Sequence, residues 1–236
     1  MSTKKISLKV NGTPDMGAYI SMPEGKGPFP GVMVFQEAFG VNQHIRNVAD
    51  RIAKEGYVAI APELFHRTAP MGFESGYTDF ELVKPHFAGI SFEGLEADVK
   101  ACYDWLLQQP EVIHDKIGTI GFCLGGRVSY IANVVIPVSA AISYYGAGIP
   151  PLLDKVSDMH APHLFFWGGL DKHIPQEQIN AVVAGMNKAG KPFINTVISY
   201  ADHGFNNDEK PAFSLDGSKE AWAMAMAFFK NKFGQK

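Results

Sequence analysis

The chain has 236 residues, 46% of them hydrophobic, and a formal net charge of −3. Such a length holds one large domain or two small ones, and so mild an acidity offers no basic surface for nucleic acid or an anionic membrane. No apolar run approaches the roughly 18 residues of a spanning helix, the N-terminus lacks the apolar stretch of a signal peptide, and two cysteines make no disulfide framework.

Residues 4–10 and 17–22 read as short strands around the turn Asn11-Gly12-Thr13-Pro14-Asp15, an antiparallel hairpin at a sheet edge. After a Gly/Pro connector, Gly31-Val32-Met33-Val34-Phe35 is a continuous apolar run, as a strand buried on both faces requires. It ends in Gln36-Glu37-Ala38-Phe39-Gly40. Asn42 is an N-cap for a helix through Lys54 with Ile45, Val48, Ala49 and Ile52 on one face. Tyr57-Val58-Ala59-Ile60-Ala61 is the next buried strand, closed by Pro62.

From Glu63 to Ser91 the periodicity dissolves among Pro70, Gly72, Gly76, Pro85 and Gly89, with a short helix expected at 78–84. A lid-like excursion at about 63–91 fits this pattern. A regular helix returns at 93–109, its stripe Leu95, Val99, Cys102 and Leu106 placing Cys102 in the core. Lys116-Ile117-Gly118-Thr119-Ile120 then reads as a strand and Arg127-Val128-Ser129-Tyr130-Ile131-Ala132 as a helix, with Gly121-Phe122-Cys123-Leu124-Gly125-Gly126 between them.

Further strands follow at 138–143, ending in Tyr144-Tyr145-Gly146, at 163–167, ending in Gly168-Gly169-Leu170-Asp171, and at 193–198. Pro175 opens a helix to Gly190, and a last helix covers about 218–233. Strands alternating with helices mean a single α/β domain over 1–236, its mostly parallel sheet flanked by helices on both faces.

Strand, tight turn and helix around G-x-C-x-G are the context of a nucleophile elbow, with Cys where the pattern has Ser. The glycines let the turn take strained angles without a side chain striking its neighbours, and the helix N-terminus favours thiolate and oxyanion alike. The plain alternative is a buried structural cysteine beside a glycine-rich turn. In a parallel sheet, ligands bind beyond the C-terminal strand ends, and Glu37, Cys123, Asp171 and His203 all fall there. Nucleophile, acid, histidine is the chain order of the α/β-hydrolase triad. His203 can take and return a proton, and Asp171 can fix its tautomer. Asp171 could equally be a turn residue, and Asp202 is a second acid beside the histidine. His160 and His163 bracket a proline without a third ligand near, so no metal is expected.

The stretches Gln36–Val41, Ala61–Phe65, Gly121–Gly126, Tyr144–Gly146, the strand to Asp171, and His203-Gly204-Phe205 resemble the dienelactone hydrolase family over about residues 15 to 230. The resemblance implies an α/β-hydrolase fold and a Cys-His-Asp triad of Cys123, His203 and Asp171. It also implies an oxyanion hole from the backbone N–H groups of Leu124 and Ala38, and a carboxylate, Glu37, that contacts the resting thiol. Members that cleave dienelactone hold its carboxylate with arginines, one in the lid and one shortly after the histidine. Here Gly204-Phe205-Asn206-Asn207-Asp208 has none, and Arg67 is the one arginine of the lid region.

Arg67, Tyr145 and Phe39 are the candidate substrate-binding residues. The expectation is a cytoplasmic, cofactor-free hydrolase of a small ester or lactone, monomer or small homo-oligomer, with neither nucleic acid nor membrane as partner. A thiol redox sensor, or a non-catalytic binder on the same scaffold, is the alternative.

Overall fold

The protein is described by a computed structural model over residues 1–234, in two compact units, Met1–Gly118 and Thr119–Lys236. In the first, β1 (Ser2–Leu8) pairs antiparallel with β2 (Met16–Met22), from Ser2↔Met22 to Leu8↔Met16. β2 pairs antiparallel with β4 (Val58–Pro62), and β4 parallel with β3 (Phe29–Phe35). The hairpin thus joins a parallel pair whose apolar runs are buried along nearly their whole length, as sequences without alternation require.

Helix α1 (Gln43–Lys54) packs on β2, β3 and β4 with Ile45, Val48, Ala49 and Ile52 buried. The Asn42 side chain accepts from the Ile45 N–H at 3.2 Å, the cap its sequence predicts. Helix α2 (Phe80–Ala88) lies further along the chain than the 78–84 expected and continues through Pro85. Helix α3 (Phe92–Leu107) is capped by Ser91 and turns Leu95, Val99, Cys102 and Leu106 inward, against β1, β3 and β4.

Strand β5 (Val112–Phe122) runs from the first unit into the second. It begins earlier than the predicted 116, because its first half is only partly covered and carries the polar run His114-Asp115-Lys116, which hides a strand from an apolar count.

In the second unit, β6 (Ala140–Tyr144), β7 (His163–Gly168) and β8 (Phe193–Ile198) pair parallel in that order. Helix α4 (Leu124–Val135) packs on β6, α5 (Gln176–Lys188) on a 3-10 helix at Pro150–Asp158, and α6 (Leu215–Lys232) on β6 and β7. Pro150 and Pro151 form the first turn of the 3-10 helix, where a missing N–H costs nothing. Among the described residues no helix is long and apolar enough to cross a membrane.

Candidate active site

The site begins where β5 ends. Cys123 takes φ 54° and ψ −112°, a conformation rare for a residue with a Cβ, and its N–H donates to the Tyr144 carbonyl at the end of β6 at 3.0 Å. The glycines make that turn possible. A Cβ on Gly121 would fall on the Gly125 carbonyl group, and one on Gly126 would lie 2.7 Å from the Gly146 Cα and 2.8 Å from the Tyr144 oxygen. Leu124 is the first residue of α4, so its N–H is one of those a helix leaves without an internal acceptor.

Asp171 lies three residues past β7, and His203 follows β8. The Asp171 carboxylate divides its work. Its Oδ1 accepts from the N–H groups of His173 (2.7 Å) and Ile174 (3.1 Å), while Oδ2 sits 2.7 Å from His203 Nδ1. Loop amides hold one oxygen and leave the other for the ring. Asp202 does something else: its exposed Oδ1 accepts from the His203 backbone N–H at 2.6 Å.

The His203 side chain, 12% exposed, is hydrogen-bonded to Cys123 as well as Asp171. Burial disfavours its cation, but the hydrogen bonds to Asp171 and Cys123 and their charges outweigh burial and raise its pKa to about 10. The structure therefore brings Cys123, His203 and Asp171 into one hydrogen-bonded line within the second unit. Cys123 is half-buried. Cys102 is fully buried, its thiol pushed well up by burial and then by Asp98.

Of the other sequence candidates, Tyr145 is buried with its ring 5.1 Å from that of His203, and its N–H donates to the Phe166 carbonyl at 2.7 Å. Glu37 and Ala38 lie buried just past β3 in the first unit, and buried Phe39 packs edge-on against Tyr77 at 4.8 Å. Arg67 grips Asp98 with both arms, Nη1 to Oδ2 and Nη2 to Oδ1, each at 2.8 Å, and Nη2 also donates to the Gly94 carbonyl at 3.1 Å. His66 completes that buried cluster, Nε2 at 2.9 Å from Asp98 Oδ1.

Three neighbours of this hydrogen-bonded line are not anticipated from the sequence. The ring of exposed His173 stands 5.1 Å from that of His203. The amides of His173 and Ile174 do carry a signal, since an Asp accepting two and three residues on is a common turn device. Arg127, one turn into α4, interacts electrostatically with Cys123; burial lowers its pKa and the charge at Cys123 opposes that shift. Among the described residues no group of three or more His, Cys, Asp and Glu side chains could hold a metal ion.

The sequence profile of the dienelactone hydrolase family matches residues 16–233. A protein of Synechocystis sp., provisionally named a carboxymethylenebutenolidase, is 33% identical over 229 residues, covering 92% of this chain and 92% of that one. The carboxymethylenebutenolidase of Pseudomonas putida is 29% identical over 187 residues, 78% of each chain. The crystal structure of a provisionally assigned dienelactone hydrolase from Klebsiella pneumoniae superposes with a TM-score of 0.86 at 29% identity, covering 97% of this chain and 99% of that one.

Proposed function

The chain belongs to the dienelactone hydrolase family, which hydrolyses ester or lactone bonds, and from that premise we propose that it does so with Cys123 as nucleophile, His203 as acid and base, and Asp171 as the carboxylate behind the histidine. The fold is that of the α/β hydrolases. The observation that carries the assignment is the line Asp171–His203–Cys123 at a strained turn on a helix N-terminus.

In this reading the proton of the Cys123 thiol is held on His203 Nε2, whose raised pKa favours the cation, and the sulfur attacks the substrate carbonyl. The oxyanion that forms meets the Leu124 N–H, with the α4 dipole behind it. His203 then protonates the departing alkoxide, leaving a thioester on Cys123. Water gives a proton to the same nitrogen, attacks the thioester, and releases the acid and the thiol. Asp171 accepts from Nδ1–H throughout, keeping Nε2 toward the sulfur and stabilising the imidazolium. The second oxyanion donor, Ala38, and the Glu37 carboxylate enter this reading from the family resemblance alone.

The substrate is a small ester or lactone, and the Arg67–Asp98 fork argues against Arg67 as a carboxylate clamp, since its fork is already filled. The test is acyl-enzyme trapping. Mixed rapidly with p-nitrophenyl acetate and quenched in acid, the wild type gains one acetyl group on the Cys123 peptide, and Cys123→Ala gains none and turns over no ester. An active Cys123→Ala variant, or acetyl on another residue, refutes the assignment.

A further inference from the structure

A chain of buried polar groups that the triad does not use runs beneath the elbow. Ser143 on β6 donates its hydroxyl proton to the Gly126 carbonyl in the first turn of α4, at 2.6 Å. Its Oγ also stands 2.8 Å from His163 Nε2, at the start of β7. A hydroxyl has one proton, so with that proton on Gly126 the Ser143 oxygen accepts from His163 Nε2–H. The neutral ring then presents a lone pair at Nδ1, to which the Asn133 side-chain amide donates at 3.3 Å.

Asn133 gives its other hydrogen to the Ala161 carbonyl at 2.9 Å, and its oxygen accepts from the N–H groups of His160 and Ala161. Every proton in the chain has an acceptor. Ser143, His163 and Asn133 are all fully buried, and burial pulls the His163 pKa down to about 3, so the ring stays neutral. It stacks on Phe165 at 4.1 Å.

This network ties one helix at two points. Gly126 is in the first turn of α4 and Asn133 near its end, seven residues on and hence on the same face. The first turn is the one that carries Cys123 in its strained conformation and offers the Leu124 amide. Strain of that kind persists only where the surroundings over-determine it. Packing alone would favour apolar side chains at 143 and 163, since a buried polar pair must first lose its water.

We propose that Ser143 and His163 are positioning residues that hold the nucleophile elbow through the Gly126 carbonyl. The proposal rests on the hydrolase reading for its effect on turnover, but not for its effect on the thiol. Misplacing reacting groups by about 1 Å costs on the order of 10²-fold in rate. In Ser143→Ala, kcat for p-nitrophenyl acetate therefore falls tenfold or more with KM within about twofold, and iodoacetamide labels Cys123 several-fold more slowly. His163→Gln keeps a donor toward Ser143 and His163→Leu does not, so Gln stays nearer the wild type in both rates even where the two melt alike.

Wild-type kcat and labelling in a folded Ser143→Ala overturn the proposal and leave the hydrolase reading standing. So do equal rates in His163→Gln and His163→Leu, the pair that decides if Ser143→Ala does not fold. A wild type that turns over no ester, with labelling still slowed in Ser143→Ala, refutes the hydrolase reading and upholds the brace.

Discussion

Replacing Asp171 by Asn tests the line at its most isosteric point. The Asn oxygen can keep the amides of His173 and Ile174, now at 2.7 and 3.1 Å, so the loop stays in place. The change falls on the other atom. An NH2 group replaces the oxygen 2.7 Å from His203 Nδ1, two donors face each other, and the ring relieves the clash by moving its proton to Nε2. That nitrogen can then no longer take up the proton of Cys123.

The cation loses its partner too. His203 stands at about 10 against an ordinary 6.5, a step worth about 5 kcal/mol at roughly 1.4 kcal/mol per unit, held against burial by Asp171 and Cys123 together. Losing even part of that step, on the order of 2–3 kcal/mol, is roughly two orders of magnitude in rate; the serine-protease template, where the tautomer error is included, loses about 10⁴. The expected fall in kcat for p-nitrophenyl acetate is therefore two to four orders, with KM little changed. Asp202→Asn, which touches only a backbone amide at an exposed carboxylate, should stay within about threefold. A mild Asp171→Asn beside a crippling Asp202→Asn would mean that the acid has been misassigned.

Iodoacetamide should label half-buried Cys123 far faster than buried Cys102, and peptide mapping that finds Cys102 modified first contradicts the site. The His203 pKa lies above its unfolded value, so the stability its cation contributes is complete below about pH 6.5 and is lost as pH rises through about 10. Urea unfolding should show a decline over that window that shrinks in Asp171→Asn, and superimposable curves would refute it. Neutral short-chain esters and unsubstituted lactones should be hydrolysed at least as well as carboxylate-bearing dienelactone; a kcat/KM tenfold higher for the anion, about 1.4 kcal/mol, would reveal another cation in the clamp.

What was legible in the sequence is what depends on periodicity and on local turn chemistry. The stripes of α1 and α3, the Asn42 cap, and the apolar runs of β3, β4 and β7 are local facts, and they are found where the pattern puts them. The positions of Cys123, Asp171 and His203 at strand ends follow from the same periodicity. What was not legible depends on partners distant along the chain.

Arg67 reads as an unengaged lid cation until Asp98, 31 residues on, is seen beside it. There was a signal, since Asp98 lies on the buried stripe of α3, three residues from Leu95, and a charge there requires a partner. His163 likewise opens an otherwise apolar strand, and only the fold brings Ser143 and Asn133 to its two nitrogens. Polar residues inside apolar patterns mark the positions whose partners lie far along the chain.

Backbone strain points to the same site independently of any side-chain chemistry. Among the described residues two non-glycines have positive φ, Cys123 at 54° and Tyr145 at 37°. Each follows closely on a strand, β5 or β6, and each is held by donating its N–H to a carbonyl at or near the end of the next strand, Cys123 to Tyr144 and Tyr145 to Phe166. Such conformations cost about 1–3 kcal/mol apiece and survive where the surroundings enforce them. The sheet enforces both, and both residues meet at one ring: Cys123 through its hydrogen bond to His203, Tyr145 through a ring contact at 5.1 Å. A structural cysteine beside a glycine-rich turn would account for the first outlier and leave the second without a reason. A site built to hold an imidazole against a sulfur accounts for both.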